Sequence, residues 1–415
     1  MRHLWDIEAE HRSGTVYLMV LACSMIVMVI GMASLLAIRV QRRSAQIGQD
    51  ASQARCCAQS AIALGTWYCQ AENWRTTWPN GTWLSGRSLG TGQFTLQGVD
   101  PQDGTLADSE YDPVVLTGIG TKGLARHEVQ VTLVPNVQPL EALATCLYAL
   151  GGLSVKSSKQ ITLVGAPAST GGSLDNGGLI NGNVEAASVV RAGTITGALT
   201  VPGTPKHTPA DQVITDYIAK ATTLPRSSSL DRRVLSPTLN PFGSPNPDGI
   251  YYMDTQGSNL TITNSRIQGT LVVRASGATV TLDSAVFLQP ARWYHPVLIV
   301  VGNAVIKCHS LDYSLSEWLC GTNFNPAGAP YQGTWDTDVF DVYPNEIQGL
   351  VHIQGSLRLQ NTARIVGVVI CQGSVTCEEQ NTIVYDPALA AHPPEGYTYV
   401  AGMKVSPGSF AQSVH

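Results

Sequence analysis

The rhythm of apolar and polar positions changes twice along this chain. From Thr15 to Ile38 the run TVYLMVLACSMIVMVIGMASLLAI carries no charge over 24 residues. As one helix this length crosses a hydrocarbon core of about 30 Å. The run passes directly into Arg39, Arg42 and Arg43, with no small-residue cleavage site ahead of polar sequence, so it reads as a retained anchor and not as a removed export signal. Beyond it, Ile47, Ala51, Ala54, Ala58, Ala61, Ile62 and Leu64 recur at three- and four-residue steps among Gln, Arg, Ser and Asp. One helix over 15–66 is predicted, half membrane span and half amphipathic stem.

After the stem the period shortens to two. Trp67, Trp74, Trp78 and Trp83 sit in a Gly- and Thr-rich stretch read as a packed loop. The runs Gln93 to Val99, Pro113 to Thr117 and His127 to Val134 follow, broken by DPQDG and GIGTKG. Over 67–135 this predicts a small antiparallel sheet lying on the stem.

Past residue 150 a motif Ile-x-Gly-x-Leu/Val recurs at Ile180, Ile195, Ile267, Ile347 and Ile365. LTITNSRI from Leu260 is matched by VTLDSAVF from Val280, with Asn264-Ser265 set against Asp283-Ser284 at a turn. Self-similarity at a period near twenty marks a solenoid whose coils stack. A right-handed parallel β-helix over 150–390 fits best, and a β-sandwich of short strands is the alternative. Residues 202–249, rich in Pro and Ser, form an excursion with a helix from Asp211 to Ala221, read as a lid along the solenoid. A second loop spans 308–346, and the tail 391–415 is expected to pack on the final coils as a cap. The fold class is thus an α+β N-terminal module followed by an all-β parallel β-helix.

Composition narrows the function. Charged residues make up 13% of the chain against 40 glycines, which suits a β-rich body with many tight corners. A net charge of -5 leaves no basic field for phosphate backbones, so nucleic acid is not an expected partner. None of the nine cysteines lies in a CxxC pair. By proximity Cys308 with Cys320 and Cys371 with Cys377 would form disulfides in an oxidising compartment; alternatively they are small buried apolar side chains.

The string RSGTVYLMVLACSMIVMVIGMASLLAIRVQRRSAQIGQDASQARCCAQSAIALG resembles the N-terminus of type IV pilin-like proteins, most closely PilX-type minor pilins and the K-type pseudopilin of type II secretion. The resemblance implies a leader, Met1 to Gly14, removed by a prepilin peptidase between Gly14 and Thr15. It also implies a single-pass protein of the bacterial inner membrane, with its body outside the cytoplasm and other pilin-like subunits as partners. The Arg cluster after the span outweighs Arg2 and Arg12 before it, and the positive-inside rule alone would put the body in the cytoplasm. Thr15 stands where a large apolar first residue is usual. Met19 stands at the fifth position, where major pilins carry Glu; its lack of charge suits a minor or tip component.

Polysaccharide-cleaving β-helices need two or three carboxylates on adjacent coils, or Ca²⁺ with a basic residue. The one dense acidic group, Asp336, Asp338 and Asp341 with Glu346, lies in a single loop. It reads as a solvated acidic loop, with Asp336, Asp338 and Asp341 the candidate ligands if a Ca²⁺ ion binds. His295 and His309 have no Ser, Cys or Asp partner that would make a triad, and no phosphate-binding Gly loop is present. A non-enzymatic cell-envelope role with no cofactor is therefore expected. The competing expectation is a membrane-tethered protein that binds or cleaves polysaccharide.

Overall fold

The computed structural model describes residues 6–414 and divides the chain into two units. One runs to Val137 and resumes at Val400, and the other is Gln138–Tyr399. The first five residues of the expected leader lie outside the described residues.

In the first unit a 63-residue helix α1 (Asp6–Tyr68) extends over about 95 Å at 1.5 Å per residue. It precedes four antiparallel strands, β1 (Gly81–Leu89), β2 (Gly92–Val99), β3 (Val114–Lys122) and β4 (Ala125–Pro139), paired in chain order. Their inward positions, Leu96, Leu116, Val129, Val131 and Leu133, meet the Ala58, Ala61 and Ile62 face of α1 in one apolar core. Small residues on the helix and Gly118 and Gly120 on β3 allow this close approach. Strand β1 was not anticipated, because Gly86 and two irregularities in its pairing with β2 break the alternation. Of the four tryptophans read as a packed loop, Trp67 lies in α1, Trp74 opens the short helix Trp74–Thr77 and Trp83 lies on β1, with its indole over Gly98 and its Nε1 donating to the Pro79 carbonyl at 2.8 Å.

The tail corrects the sequence reading. Its first residues pack on the coils as expected, with Tyr397 buried among Tyr148, Leu350 and Ile370, but the chain then leaves them: Thr398–Val405 joins the edge of the small sheet beside β4, and Ala411–Val414 also pairs with β4, placing Ala411 opposite Gln130. The run TYVAGMKV has no period-two alternation and its burial does not alternate, so the sequence carried no strand signal for this pairing.

The second unit is a stack of parallel strands. One column, read from partner to partner, runs Leu199, Val184, Ala168, Leu147, Val369, Val351, Leu298, Leu271, Tyr251 and Thr222. Order in space is therefore not order in sequence. The first coil, around 147–164, sits on the last, around 369–384, and the coils between 168 and 200 extend the other way. The helix Asp211–Lys220 precedes the strands Thr222–Thr223, Ser229–Asp231 and Val234–Leu235, which make the far end of the stack. The predicted excursion 202–249 thus contains an end coil, hidden from periodicity because its strands are two or three residues long.

Inward-facing Leu, Ile and Val fill the stack. The outward side of the same column is also apolar: Tyr148, Ile370, Ile299 and Val272 lie under Val213, Ile214 and Tyr217 of the helix. Burial on both sides explains the near-continuous apolar runs in these strands. The motif glycines share one corner. Gly349 pairs with Gly367 between Ile347–Ile365 and Val351–Val369, and Ile180 with Ile195 and Val184 with Leu199 bracket Gly182 and Gly197.

Candidate functional site

Three places in the molecule bear on function. The first is α1 itself, the one helix among the described residues long and apolar enough to cross a membrane. From Thr15 to Ile38 its side chains are exposed, with Leu18 at 65%, Val27 at 68% and Leu36 at 61%. The bond between Gly14 and Thr15 lies within this helix. From Ala54 to Ile62 the same helix is covered by the sheet, so one element changes from uncovered to buried partners along its length.

The second is carboxylate chemistry. Oxygens of Glu317, Asp336 and Asp341 lie within 4.8 Å of one another. Asp338 stays outside this group; it is exposed and accepts from the Phe340 N–H at 3.1 Å. Glu346 points to a coil surface and pairs with Arg364 at 2.9 Å. Glu317 takes their place, fully buried on the short helix Glu317–Cys320 and accepting from the Tyr343 hydroxyl at 2.9 Å and the Asp341 N–H at 3.1 Å. Asn325 donates to Asp341 at 2.9 Å and Asp336 at 3.3 Å. Glu317 stands apart from the acidic string in sequence, so spacing gave no signal for it. In the first unit Asp100, Asp108 and Asp112 form a similar trio, and the DPQDG segment read only as a turn supplies its buried member. Both trios offer hard oxygen ligands of the kind that suit a divalent cation.

The third is a recess of about 340 Å³ in the second unit. It lies where the segment after Cys308 passes the corner residues Asn264, Ser284 and Ala285, and it is lined further by His309, Tyr313, Ser314, Ser316 and Leu319. His309 Nε2 is 2.7 Å from Asn361 Nδ2, and its ring meets Tyr313 edge-on at 5.5 Å. His295 is elsewhere, buried with its ring edge-on to Tyr217, and burial lowers its pKa.

All nine cysteines are free, so neither expected disulfide is formed. Cys308 fills the solenoid interior, whereas Cys320 belongs to a separate cluster with Phe324 and Tyr343. Cys371 and Cys377 fill successive strands of one coil, stacked on Ile353 and Leu359, and each serves as a small core side chain. Burial pushes the thiols of Cys308 and Cys371 up to about 12, which keeps them protonated and unreactive.

No protein-family model and no curated protein matches the chain. Among solved structures, an ice-binding protein from an Antarctic biological consortium is 13% identical, covering 59% of this chain and 88% of its own, at a TM-score of 0.31. The competence-associated pilin ComZ of Thermus thermophilus is 12% identical, covering 88% of this chain and 98% of its own, at 0.25. An ice-binding protein of Shewanella frigidimarina is 15% identical over 60% of this chain and 98% of its own, also at 0.25. Likenesses this distant decide nothing about what the chain does.

Proposed function

We propose that this chain is a non-enzymatic cell-envelope protein, a pilin-like minor component of a type IV pilus or type II secretion pseudopilus. Its helix sits in the bacterial inner membrane and its β-helix is displayed outside the cytoplasm. The observation that carries this reading is the change of partners along α1. Its apolar half from Thr15 to Ile38 is uncovered, and its half from Ala54 to Ile62 is the packing centre for the antiparallel strands β1–β4 of a six-stranded sheet. A helix that served only as an anchor would not need to be the core of the following module.

A non-enzymatic role is supported by how the acids on the coils are engaged. Glu378 holds Arg358 at 2.9 Å, Glu346 holds Arg364 at 2.9 Å and Asp283 holds Lys307 at 3.3 Å. Each carboxylate is tied to a neighbouring coil by a cation and is not poised as a free acid or base.

The test is to express the full chain with and without an active prepilin peptidase and to read the N-terminus by mass spectrometry. Loss of Met1 to Gly14 only with the peptidase is expected. An intact N-terminus in both cells would overturn the pilin-like reading and leave an ordinary membrane anchor.

A further inference from the structure

The corner between two faces of the solenoid is built from left-handed residues. Arg232, Asn264, Ser284 and Asn361 have φ between 46° and 62°. Pairing slips by one residue there, since Thr263 faces Asp283 but Ser265 faces Val286, and the slip pushes the Ser284-Ala285 corner outward. The segment after Cys308 leaves the stack beside this corner and forms the outer wall of the recess.

Two features of that wall set it apart. Large apolar side chains stand in solvent along it, Tyr313 at 57%, Trp318 at 68%, Leu319 at 73% and Phe340 at 67%. Trp318 and Phe340 stack at 5.7 Å with their planes 17° apart, so they are ordered side by side while exposed. Exposed apolar groups gathered in one segment mark a binding surface more than chance does. Among the described residues that line the recess there is no Asp, Glu, Lys or Arg; it carries hydroxyl, amide and imidazole groups on Ser314, Ser316, Tyr313, Asn264 and His309, of which Asn264 Nδ2 also donates to Asp231 at 3.2 Å and Ser316 Oγ also accepts from the Leu319 N–H at 3.4 Å.

We propose that this recess binds a pyranose ring of an uncharged polysaccharide. A sugar ring presents C–H groups on its faces and hydroxyls around its rim. Tyr313 and Leu319, the large apolar side chains of the lining, match the faces, and the neutral polar groups match the rim; Trp318 and Phe340 lie on the same segment outside the recess. An anionic polymer would find no cation in the lining, and a purely apolar ligand would strip water from the serines without replacing its hydrogen bonds. The recess volume accommodates one ring with its substituents. The inference goes beyond the proposed function and rests only on the β-helix being displayed outside the cytoplasm, not on leader processing.

The experiment uses the full chain purified in a detergent without a sugar headgroup. It is screened against an array of uncharged glucose, galactose, mannose and N-acetylglucosamine oligosaccharides, with polygalacturonate as the anionic control, and hits are titrated by calorimetry. At least one uncharged oligosaccharide should bind saturably. Binding should weaken about tenfold in Tyr313→Ala, which removes a stacking surface, and vanish in Ser314→Trp, which fills the recess. Unchanged melting temperatures would show that both variants are folded. Absence of binding to every uncharged oligosaccharide, binding indifferent to both substitutions, or binding to polygalacturonate alone would overturn the proposal. A chain that keeps its leader yet binds sugar would remove the pilin-like pathway and leave this site standing.

Discussion

Gly120 on β3 lies directly against Ala54 on α1: a Cβ built on Gly120 would come within 1.9 Å of the Ala54 carbonyl oxygen and 2.6 Å of the Ala58 nitrogen. The contact is with helix backbone, which cannot rotate away as a flexible side chain can. Gly118 and Gly120 of GIGTKG are thus the bed on which the stem lies, and Gly118 to Lys122 continue strand β3; the break that the composition suggested comes only at Gly123, which turns the chain with φ 57°.

Gly120→Ala should therefore lift the helix from the sheet or distort the strand. Overpacking of this kind costs about 1–3 kcal/mol, occasionally more, and the upper end is expected because the obstacle is backbone. Urea denaturation followed by tryptophan fluorescence measures it through Trp74 and Trp83, which share this core. An unchanged midpoint would mean that the helix does not rest on β3.

His352 gives the second unit a pH dependence. It occupies the outward column between Ile370 and Ile299, fully buried, with Nδ1 3.0 Å from the Tyr397 hydroxyl and Nε2 without a partner among the described residues. Burial lowers its pKa to about 4, below the ordinary 6.5. The unfolded chain therefore takes up the proton first on acidification. The contribution to stability is fully present above pH 6.5, declines as pH falls, and is lost below about 4. The span corresponds to about 3 kcal/mol. Denaturation midpoints between pH 7 and 4 should fall accordingly, and His352→Leu should flatten that slope while costing stability at pH 7 by leaving Tyr397 unpaired. An equal slope in wild type and variant would assign the acid sensitivity to other groups.

Arg266 organises the long loop. Its side chain is fully buried, and its guanidinium donates to the carbonyls of Phe324 at 2.7 Å, Ala329 at 2.6 Å and Pro330 at 2.9 Å, between the rings of Tyr331 and Tyr343. A planar fork that holds three carbonyls at once cannot be replaced by an ammonium. Arg266→Lys should release the loop, at a cost of about 3 kcal/mol or more when buried acceptors are left unpaired. Limited proteolysis should then cut between Glu317 and Tyr343 in the variant and not in the wild type. Protection in both would show that the loop is held by its apolar contacts alone.

Periodic features were legible in the sequence and long-range joins were not. The Ile-x-Gly-x-Leu/Val repeat reads correctly because stacked coils need the same residue at the same corner: a Cβ on Gly367 would sit 2.0 Å from the Gly349 oxygen. The LTITNSRI match holds from Leu260–Val280 to Thr263–Asp283, but its turn is one residue off, since the left-handed residues are Asn264 and Ser284. The pairing of Ala411 with Gln130, of Val369 with Leu147 and of Glu317 with Asp341 joins segments that no local pattern connects. At the candidate sites the same division holds: the acidic string was visible, the buried Glu317 behind it was not.

The seam between the first and last coils has a kinetic consequence. More than half of the chain lies between Leu147 and Val369, so the middle of the solenoid cannot close until nearly all of the polypeptide has been made. Contacts this distant in sequence slow folding, because a long loop must be ordered before they form. A chain emerging from the ribosome would hold its early coils with one open edge until the C-terminal coils arrive, and it would be most vulnerable to proteases and to strand exchange during that interval.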